Sequence, residues 1–517
     1  MSNHGDPRPR GPGPFSAPGS LPSLVASVLY AATAATRGDL VEEHAGRDRA
    51  SIDALRARFR AHGQEHVFQF WSRLDEHQRR RLLSQAAELD LEALARIHRT
   101  TREVAAPGAR RLEPFPITRH PAHGGDPAAW KEATRRGEAL LARGELAVLV
   151  VAGGQGTRLG FEGPKGAFRL GPVSERTLFE QQAQKIRGLR RRLGKRVPWY
   201  LMTSGATDDA TRELFAESAF FGLPPEDVFF FCQPMVPALD FEGRLILEEP
   251  SRIFESPNGH GGVLTALLES GALDHMERRG VRSIFYYQVD NPLVRIGDPA
   301  YLGFHLEAGA EMSAKVIRKR SPDEKMGVIA RIDGRVGIVE YTELDDPHRH
   351  LRDGSGELVY WAGSIAVHLL QVDFVRRVAA EAERHLPYHA SAKKIPTVDP
   401  EGRNVAPAAP NGYKLERFVF DALPAARAVC VVEALREEEY SPIKNAEGED
   451  SPASARRDLS ALCRRWIVEA GLEPPPAGSR IEIDHSRFDG SEDLRASGIR
   501  SIAEAGDAIR LAAGAER

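Results

Sequence analysis

The sequence predicts an α/β fold, in which a mostly parallel sheet lies between layers of helices. Short apolar runs, typical of buried strands, alternate with longer segments whose apolar residues recur every three or four positions. The run at residues 146–151 is apolar at every position, which is typical of a strand covered on both faces. A glycine-rich loop follows that run, at the sheet edge where α/β proteins bind their ligands.

The order of these segments predicts four regions. Residues 1–48 begin with a proline- and glycine-rich stretch and are expected to be a disordered or weakly helical leader. Amphipathic periodicity from residue 52 to 99 predicts a helical N-terminal region, residues 49–125. Residues 126–408 hold the α/β alternation, and residues 409–517 are expected to form a small C-terminal α+β domain with a helix near 454–470. In the third region the predicted strands are 146–151, 197–203, 227–231, 283–289 and 314–318, and the predicted helices are 127–143, 177–192, 207–219, 261–279 and 298–309.

The composition excludes several classes of protein. The 517 residues carry 70 basic and 73 acidic side chains, a net charge of −3, so no basic field favours nucleic acid as a partner. The three cysteines lie far apart, which supports neither a disulfide framework nor a zinc site and predicts a reducing, cytoplasmic location. No stretch reaches the ~18 continuous apolar residues of a membrane span. We therefore expect small-molecule substrates, and the oligomeric state stays open between a monomer and a weak homodimer.

The segment "AVLVVAGGQGTRLGFEGPKG" predicts a cradle for phosphates. Gly153, Gly154 and Gly156 let the backbone bend and come close to a bound group, and they leave N–H groups free to point at an anion. Arg158 and Lys165 add positive charge beside them. The alternative is a glycine-rich turn with two surface cations.

The spacing of this loop matches neither common phosphate-binding motif. Lys165 lies between a proline and a glycine, so the Walker pattern fails, and the glycines are too widely spaced for the dinucleotide fingerprint. The next helix is expected to begin at a capping box formed by Thr177 and Glu180. A connection of this length is enough to surround a whole nucleoside triphosphate.

Other residues fit the same chemistry. Asp290 follows a predicted strand, where a carboxylate close to phosphates suits Mg²⁺; the alternative is a carboxylate that caps a turn. "ESPNGHGGVLTAL" offers Asn258 and His260 to a ring or hydroxyl group, although a histidine in a glycine turn is often structural. Glu340 lies in an apolar, strand-like setting and needs a partner, either sugar hydroxyls or an internal arginine.

Lysines in the later part of the chain could reach the phosphates from the opposite side. Lys393, Lys394 and Lys414 lie at loop-to-element junctions, although each taken singly is more often a surface charge. The sequence contains no convincing nucleophile motif. Phosphoryl and nucleotidyl transfer need none, because positioning and positive charge supply the catalysis.

Five segments of the sequence resemble, in order, segments of the UDP-N-acetylglucosamine pyrophosphorylases. They are "LVVAGGQGTRLGFEGPKG", "PNGHGGVLTAL", "YYQVDNPLVRIGDP", "NGYKLERFVFD" and "REEEYSPIKNA". These enzymes belong to the wider UTP:sugar-1-phosphate uridylyltransferase group. The resemblance extends from about residue 50 to at least residue 460. It implies a Rossmann-like nucleotidyltransferase domain between a helical N-terminal region and a small C-terminal domain. It also implies Mg²⁺-assisted attack of a sugar 1-phosphate, most often N-acetylglucosamine 1-phosphate, on the α-phosphate of UTP.

The resemblance also assigns roles by position. Catalytic contacts to the phosphates would come from Arg158, Lys165 and Lys414, with Lys394 a weaker candidate, and Asp290 would hold Mg²⁺. The nucleotide would be bound by Gly153, Gly154, Gly156, Gln233, Gly259 and His260, and the sugar by Gly327, Glu340 and Ser364.

Two departures from the family pattern affect the expected sugar. His260 stands where the family usually has an asparagine beside the uridine, and Ser364 stands where a sugar-facing asparagine is expected. Serine has a shorter reach and a single donor, so discrimination between sugars changes more readily than uridylyl transfer itself. N-acetylgalactosamine, glucose and galactose 1-phosphates stay open as alternatives, as does a silent nucleotide-sugar-binding protein. A dinucleotide-dependent oxidoreductase is disfavoured by the glycine spacing.

Overall fold

The computed structural model describes residues 48–104 and 110–512, with side chains for 52–100 and 110–512. The predicted leader therefore lies outside the described residues except for Asp48, where the first helix begins. The described chain forms two compact units, one ending at Leu91 and one beginning at Glu92. No helix among the described residues has both the length and the apolarity needed to cross a membrane.

Helices α1 to α16 and nine 3₁₀ turns have the following bounds. The helices are α1 (Asp48–Ala61), α2 (Glu76–Glu88), α3 (Leu91–Val104), α4 (Pro127–Arg143), α5 (Leu178–Leu193), α6 (Asp208–Glu217), α7 (Gly262–Glu269), α8 (Ala272–Arg278), α9 (Pro299–Glu307), α10 (Asp346–His350), α11 (Val372–Ala380), α12 (Ala382–His385), α13 (Arg436–Glu439), α14 (Pro452–Glu469), α15 (Ser491–Ala496) and α16 (Ile502–Ala505). The 3₁₀ turns are Glu65–Phe68, Trp71–Arg73, Pro121–His123, Thr157–Leu159, Lys165–Ala167, Ala219–Gly222, Pro225–Asp227, Val419–Ala425 and Gly506–Ala508.

Strands β1 to β21 complete the secondary structure of the described residues. They are β1 (Leu112–Pro114), β2 (Leu146–Val151), β3 (Trp199–Thr203), β4 (Val228–Cys232), β5 (Met235–Pro237), β6 (Leu239–Asp240), β7 (Leu247–Glu249), β8 (Arg252–Ile253), β9 (Glu255–Pro257), β10 (Ser283–Gln288), β11 (Met312–Arg318), β12 (Val328–Ile332), β13 (Arg335–Val339), β14 (Ala362–Gln371), β15 (His389–Lys393), β16 (Thr397–Val398), β17 (Asn404–Val405), β18 (Gly412–Glu416), β19 (Val429–Glu433), β20 (Arg480–Ile483) and β21 (Ile509–Ala512).

The N-terminal unit is helical but interrupted. The periodicity predicts one helical pattern from 52 to 99, whereas the structure breaks it between α1 and α2 with two 3₁₀ turns. Gly63, in the left-handed region with φ of 69°, follows the end of α1. Asp75 is the N-cap of α2 and forms a reciprocal capping box with Gln78. Phe59, Val67 and Leu82 are fully buried in this unit.

A ten-stranded mixed sheet organises the second unit. Strands β4, β3, β2 and β10 lie side by side and are parallel. β14 pairs antiparallel with β10 and also with β11, and β19 runs parallel to β11. β12, which carries β1 and β13, pairs with the beginning of β14. The α/β prediction is confirmed, with the parallel strands β10, β2, β3 and β4 forming one side of the sheet and β4 at its edge.

Strand β2 is covered on both faces because each face packs in a separate core. Alternate residues of a strand point to opposite faces. Leu146, Val148 and Val150 lie in a core that also contains residues of α5 and α9, whereas Ala147 and Leu149 lie in a core with residues of α7 and α11. The continuous apolar run that predicted a two-sided strand is thereby explained.

Several predicted elements are corrected in detail. The predicted helix 261–279 is divided into α7 and α8, and Gly271, with φ of 72°, lies between them. Thr177 caps α5 by accepting a bond from Glu180 N at 3.1 Å. The expected reciprocal half is absent, because the Glu180 carboxylate accepts a hydrogen bond from Arg176 Nε at 2.9 Å instead.

The last part of the chain contributes to two structures. β19, from the region expected to be a C-terminal domain, lies in the central sheet. α14, β20 and β21 enclose a smaller core that includes Ile467, Ile481 and Ile509. The region boundaries at 125/126 and 408/409 stay predictions.

Two glycines allow α4 and α9 to pack backbone against backbone. A Cβ on Gly137 would lie 1.8 Å from the Pro299 carbonyl oxygen, and one on Gly303 would lie 1.8 Å from the Ala133 carbonyl oxygen. Neither backbone can move away without disturbing the core.

We expect Gly303→Ala to destabilise the protein by about 1–3 kcal/mol or more, because the added methyl overlaps backbone atoms. The measurement is the thermal unfolding midpoint by circular dichroism. Gly354→Ala is the control, since a Cβ there meets no atom within 4 Å. Equal midpoints for the two variants would contradict close helix packing as the reason for Gly303.

Candidate active site

The glycine-rich loop after β2 closes on itself. Gly156 N donates to Gly163 O at 2.9 Å, and Lys165 N donates to Gly154 O at 2.9 Å. The exposed Arg158 lies in the 3₁₀ turn at its far end and forms no hydrogen bond or ion pair with any described residue. The loop therefore presents a cation that can bind a ligand without first breaking a protein contact.

The glycines of this loop serve two purposes. A Cβ on Gly154 would meet no atom within 4 Å, so this glycine faces open space, as expected for close approach of a ligand. A Cβ on Gly156 would instead lie 2.6 Å from the Phe161 ring. A Cβ on Gly153 would lie 3.1 Å from Gln233 Oε1. Gly156 therefore allows packing within the loop, and Gly153 admits the Gln233 amide.

Lys165 and Asp290 meet at the carboxyl ends of the parallel strands. Lys165 Nζ lies 3.5 Å from Asp290 Oδ2, and the two side chains are only 18% and 15% exposed. Lys165 Nζ also donates to Ile443 O at 3.3 Å, and Ile443 N donates to Asp290 O at 2.9 Å. A cation and a carboxylate that were predicted separately thus form one site, closed by a third segment.

Lys444 is a functional candidate that sequence reasoning did not single out. It follows Ile443, and its Nζ lies 3.1 Å from the Tyr440 hydroxyl. Desolvation lowers the pKa of Lys444, but interactions with Tyr440 and Asp290 outweigh it and raise the pKa above its ordinary value. A second positive charge, after Lys165, therefore lies near Asp290. Lys444 could have been found from the sequence, because it is the lysine of "REEEYSPIKNA", one of the segments that resemble the family.

The second glycine segment lies beside the first and is joined to it by Gln233. Gln233 is buried, and its Nε2 donates to Gly259 O at 2.5 Å. Gly259 has φ of 81°, and a Cβ there would lie 2.4 Å from Arg417 O. Gln233 Oε1, near Gly153, stays available as an acceptor beside both loops.

His260 is a neutral hydrogen-bond donor. Burial lowers the pKa of His260 to about 3, so the ring is uncharged at neutral pH. Nδ1 accepts a bond from Val419 N at 3.2 Å, which assigns the proton to Nε2. The ring stacks on Phe418, with centroids 5.3 Å apart. An asparagine would offer both a donor and an acceptor, whereas His260 has only the Nε2 donor left.

Lys414 lies on β18, which docks on the second glycine segment. Arg417 N donates to Asn258 O at 2.7 Å, and Gly261 N donates to Arg417 O at 2.8 Å. Lys414 Nζ lies 4.8 Å from the centroid of the Phe254 ring. Lys394, the weaker candidate, is exposed. Lys414 therefore lies on a strand held against the second glycine segment.

The three residues expected to face the sugar come together. Ser364 N donates to Gly327 O at 2.9 Å, and a Cβ on Gly327 would lie 3.2 Å from Glu340 Oε1. Burial raises the pKa of Glu340. Among the described residues, its carboxylate has no hydrogen-bonded or ion-paired partner, so no internal arginine satisfies it. Its oxygens are free to accept bonds from a ligand.

A bulge in β14 adjoins Ser364. A single β11 residue, Lys315, opposes residues 365–367 of β14, and Ala366 takes a left-handed conformation with φ of 54°. Ser364 Oγ accepts a weak bond from Ala366 N at 3.4 Å. Bulges next to sites re-aim side chains, and this one sets the local direction of the strand at Ser364.

The chain is similar in sequence to known proteins. A family model described as UTP--glucose-1-phosphate uridylyltransferase matches residues 128–456. The chain is 41% identical to human UDP-N-acetylhexosamine pyrophosphorylase-like protein 1, over 82% of this chain and 86% of that protein. It is 36% identical to Arabidopsis thaliana UDP-N-acetylglucosamine diphosphorylase 2, over 81% and 85%. The chain belongs to the UTP:sugar-1-phosphate uridylyltransferase family.

The structure is also similar to solved members of the family. Uridine diphosphate N-acetylglucosamine pyrophosphorylase from Trypanosoma brucei aligns with a TM-score of 0.75 and 29% identity, over 86% of this chain and 94% of that chain. The matched residues 128–456 contain every site residue described above, including Lys444. The resemblance predicted from short segments is confirmed.

His389 and Asp421 form an additional pair in this family member. His389 Nε2 lies 2.9 Å from Asp421 Oδ2. Desolvation lowers the pKa of His389, but Asp421, with Glu343 and Glu340, outweighs it and raises the pKa. The His389 ring also packs on Phe418 at 4.5 Å between centroids, so Phe418 contacts both His389 and His260.

We expect the stabilising effect of this pair to depend on pH. A raised pKa in the folded state means that the protonated His389 contributes stability below about pH 6.5, which is lost as the pH rises through the folded-state pKa. Asp421→Asn should therefore lower the unfolding midpoint more at about pH 5.5 than at about pH 8.5.

Asp399→Asn is the matched control, because Asp399 pairs with Arg403, which does not titrate in that range. The effect of the control variant should be the same at both pH values. A loss in Asp421→Asn that grows toward high pH would contradict the assigned direction.

Proposed function

We propose that the protein transfers a uridylyl group from UTP to a sugar 1-phosphate, releasing pyrophosphate and a UDP-sugar. N-acetylglucosamine 1-phosphate is the proposed acceptor. The observation that carries the proposal is the junction of Lys165, Asp290 and Ile443 beside an open glycine loop. This junction would supply charge to a bound triphosphate, and the proposed transfer requires no nucleophile from the protein.

The proposed reaction is a single displacement at phosphorus. A phosphate oxygen of the sugar 1-phosphate forms a bond to the α-phosphorus of UTP, and the bond from that phosphorus to the bridging oxygen of pyrophosphate breaks. Arg158, Lys165 and Lys444 would stabilise the negative charge on the transferring and departing phosphates. Lys414 and the two glycine segments would hold the nucleotide in line.

Asp290 is the proposed Mg²⁺ ligand. No cluster of three or more metal-ligating side chains is found among residues 52–100 and 110–512. This donor set fits Mg²⁺, which is commonly held by one or two carboxylates together with waters and substrate phosphates. When bound, the ion would neutralise phosphate charge.

The proposed sugar contacts are Glu340, Gly327 and Ser364. The unpartnered, partly desolvated carboxylate of Glu340 suits sugar hydroxyls as donors. Relatives named for N-acetylglucosamine favour that sugar, and one named for N-acetylhexosamine keeps N-acetylgalactosamine as the alternative. Glucose and galactose 1-phosphates stay further alternatives, because Ser364 is shorter than asparagine. We also propose a cytoplasmic location and a monomer or weak homodimer.

The test is pyrophosphate release from UTP and Mg²⁺ with N-acetylglucosamine, N-acetylgalactosamine, glucose and galactose 1-phosphates. We expect the highest kcat/KM with N-acetylglucosamine 1-phosphate. UTP binding without turnover on any of the four would contradict the proposal and favour a silent nucleotide-sugar-binding protein.

We expect Lys165→Ala to reduce kcat by about 100- to 1,000-fold, the usual effect of removing one donor to a developing charge. The unfolding midpoint should change little, because Lys165 loses only a partly buried ion pair with Asp290 and one long hydrogen bond to Ile443 O. Lys195→Ala, at an exposed lysine, is the control. Unchanged kcat in the first variant would remove Lys165 from the mechanism.

We expect Ser364→Asn to shift preference toward the N-acetylated sugar by about tenfold or more, because the amide supplies two donors and an acceptor. The readout is the ratio of kcat/KM for N-acetylglucosamine and glucose 1-phosphates. Ser270→Asn, at an exposed serine after α7, should leave that ratio unchanged. The same ratio in parent and Ser364→Asn would refute the role given to this position.

A further inference from the structure

A buried charge cluster lies beneath the Asp290 segment and has no role in the chemistry above. Lys315 of β11 is 1% exposed; its Nζ lies 2.7 Å from Asp298 Oδ2 and also donates to Glu439 Oε1. Arg295 lies 3.8 Å from Asp298 Oδ1 and supplies the second positive charge. Two cations therefore balance two carboxylates; Lys315, Asp298 and Glu439 are buried, whereas Arg295 is 48% exposed.

This cluster is costly, which makes a purely stabilising role a poor explanation. Glu439 Oε2 is buried and has no hydrogen-bond partner among the described residues. Desolvation of a buried ion pair commonly offsets its attraction, and apolar replacements of similar volume are often as stable. What the cluster does is join the N-terminus of α9, the strand β11 and the short helix α13 at a single ammonium group.

The backbone of Glu439 leads directly to the active site. Asn291 Nδ2 donates to Glu439 O at 2.7 Å, and Asn291 Oδ1 accepts a bond from Ser441 N at 3.2 Å. The next contacts are those of Ile443 with Asp290 and Lys165. Residues 439–443 thus run alongside Asp290 and Asn291, and Lys444 follows at the end of this segment.

We propose that Glu439, held by the buried ammonium of Lys315, is a positioning residue that sets the place of Lys444 at the phosphates. This inference rests on the proposed function. Glu439 touches no reacting atom; it acts by holding the start of the 439–444 segment while Lys444 stands at its end. A displacement of about 1 Å in such a segment can reduce turnover about 100-fold.

The experiment is a double-mutant cycle between Glu439→Gln and Lys444→Gln, with kcat for UTP and N-acetylglucosamine 1-phosphate as the readout. We expect Glu439→Gln to reduce kcat at least tenfold in the parent and less than twofold in the Lys444→Gln background. Residues that act through one another show such non-additivity, whereas independent structural effects multiply.

Glu437→Gln is the matched control. Glu437 lies on the same short helix, but its side chain is 59% exposed and its carboxylate lies 3.8 Å from Arg465. The control variant should keep the parent kcat. Glu439→Asp, which keeps the charge but shortens the reach, serves as a second variant if Glu439→Gln does not fold, with the same dependence on Lys444 expected.

Two outcomes overturn the inference while leaving the proposed function intact. One is a folded Glu439→Gln enzyme with parental kcat. The other is an equal fold-reduction in kcat with and without Lys444, which would make the cluster structural only. A parent enzyme with no turnover on any sugar 1-phosphate would overturn the proposed function, and this inference with it.

Discussion

The parallel pairing of β2 with β10 is the constraint on which the site depends. The register places Val151 beside Gln288, so the chain leaves both strands at the same edge of the sheet. The glycine loop and Asp290 therefore start within one strand spacing of each other, and Lys165 needs only the length of its own side chain to reach Asp290. Burial of β2 on both faces stabilises this register, because a shift of one residue would move each β2 side chain into the opposite core.

The catalytic edge is shared among segments that are remote in sequence. Lys165 contacts Ile443, 278 residues away in the sequence. Arg417, which follows β18, forms backbone hydrogen bonds with the second glycine segment. Each of these late segments meets the sheet edge through backbone hydrogen bonds. Two side chains at the site, those of Arg158 and Glu340, have no partner within the described chain and are free for ligands.

Local patterns predicted the strand at 146–151 and the helix at 127–143 with the bounds that the structure has. They also predicted Lys165 and Asp290 separately, as a phosphate-binding cation and a metal-binding carboxylate that follow predicted strands, and the structure brings the two side chains together. They failed where a single residue overrides periodicity, as Gly271 does between α7 and α8. They could not place Lys444 or the contacts of Phe418, since these depend on how distant segments dock rather than on neighbours in sequence.

The insertion of β19 beside β11 bears on how the chain is made. The last strand of the central sheet in chain order is β19, residues 429–433. It follows all of the site residues in the sequence except those near Lys444. Until these residues are synthesised, β11 lacks its β19 neighbour, and Lys315 lacks its partner Glu439. Because long-range pairing is slow and an unpaired strand edge favours aggregation, we expect the nascent chain to be prone to aggregation until residues 429–433 have left the ribosome.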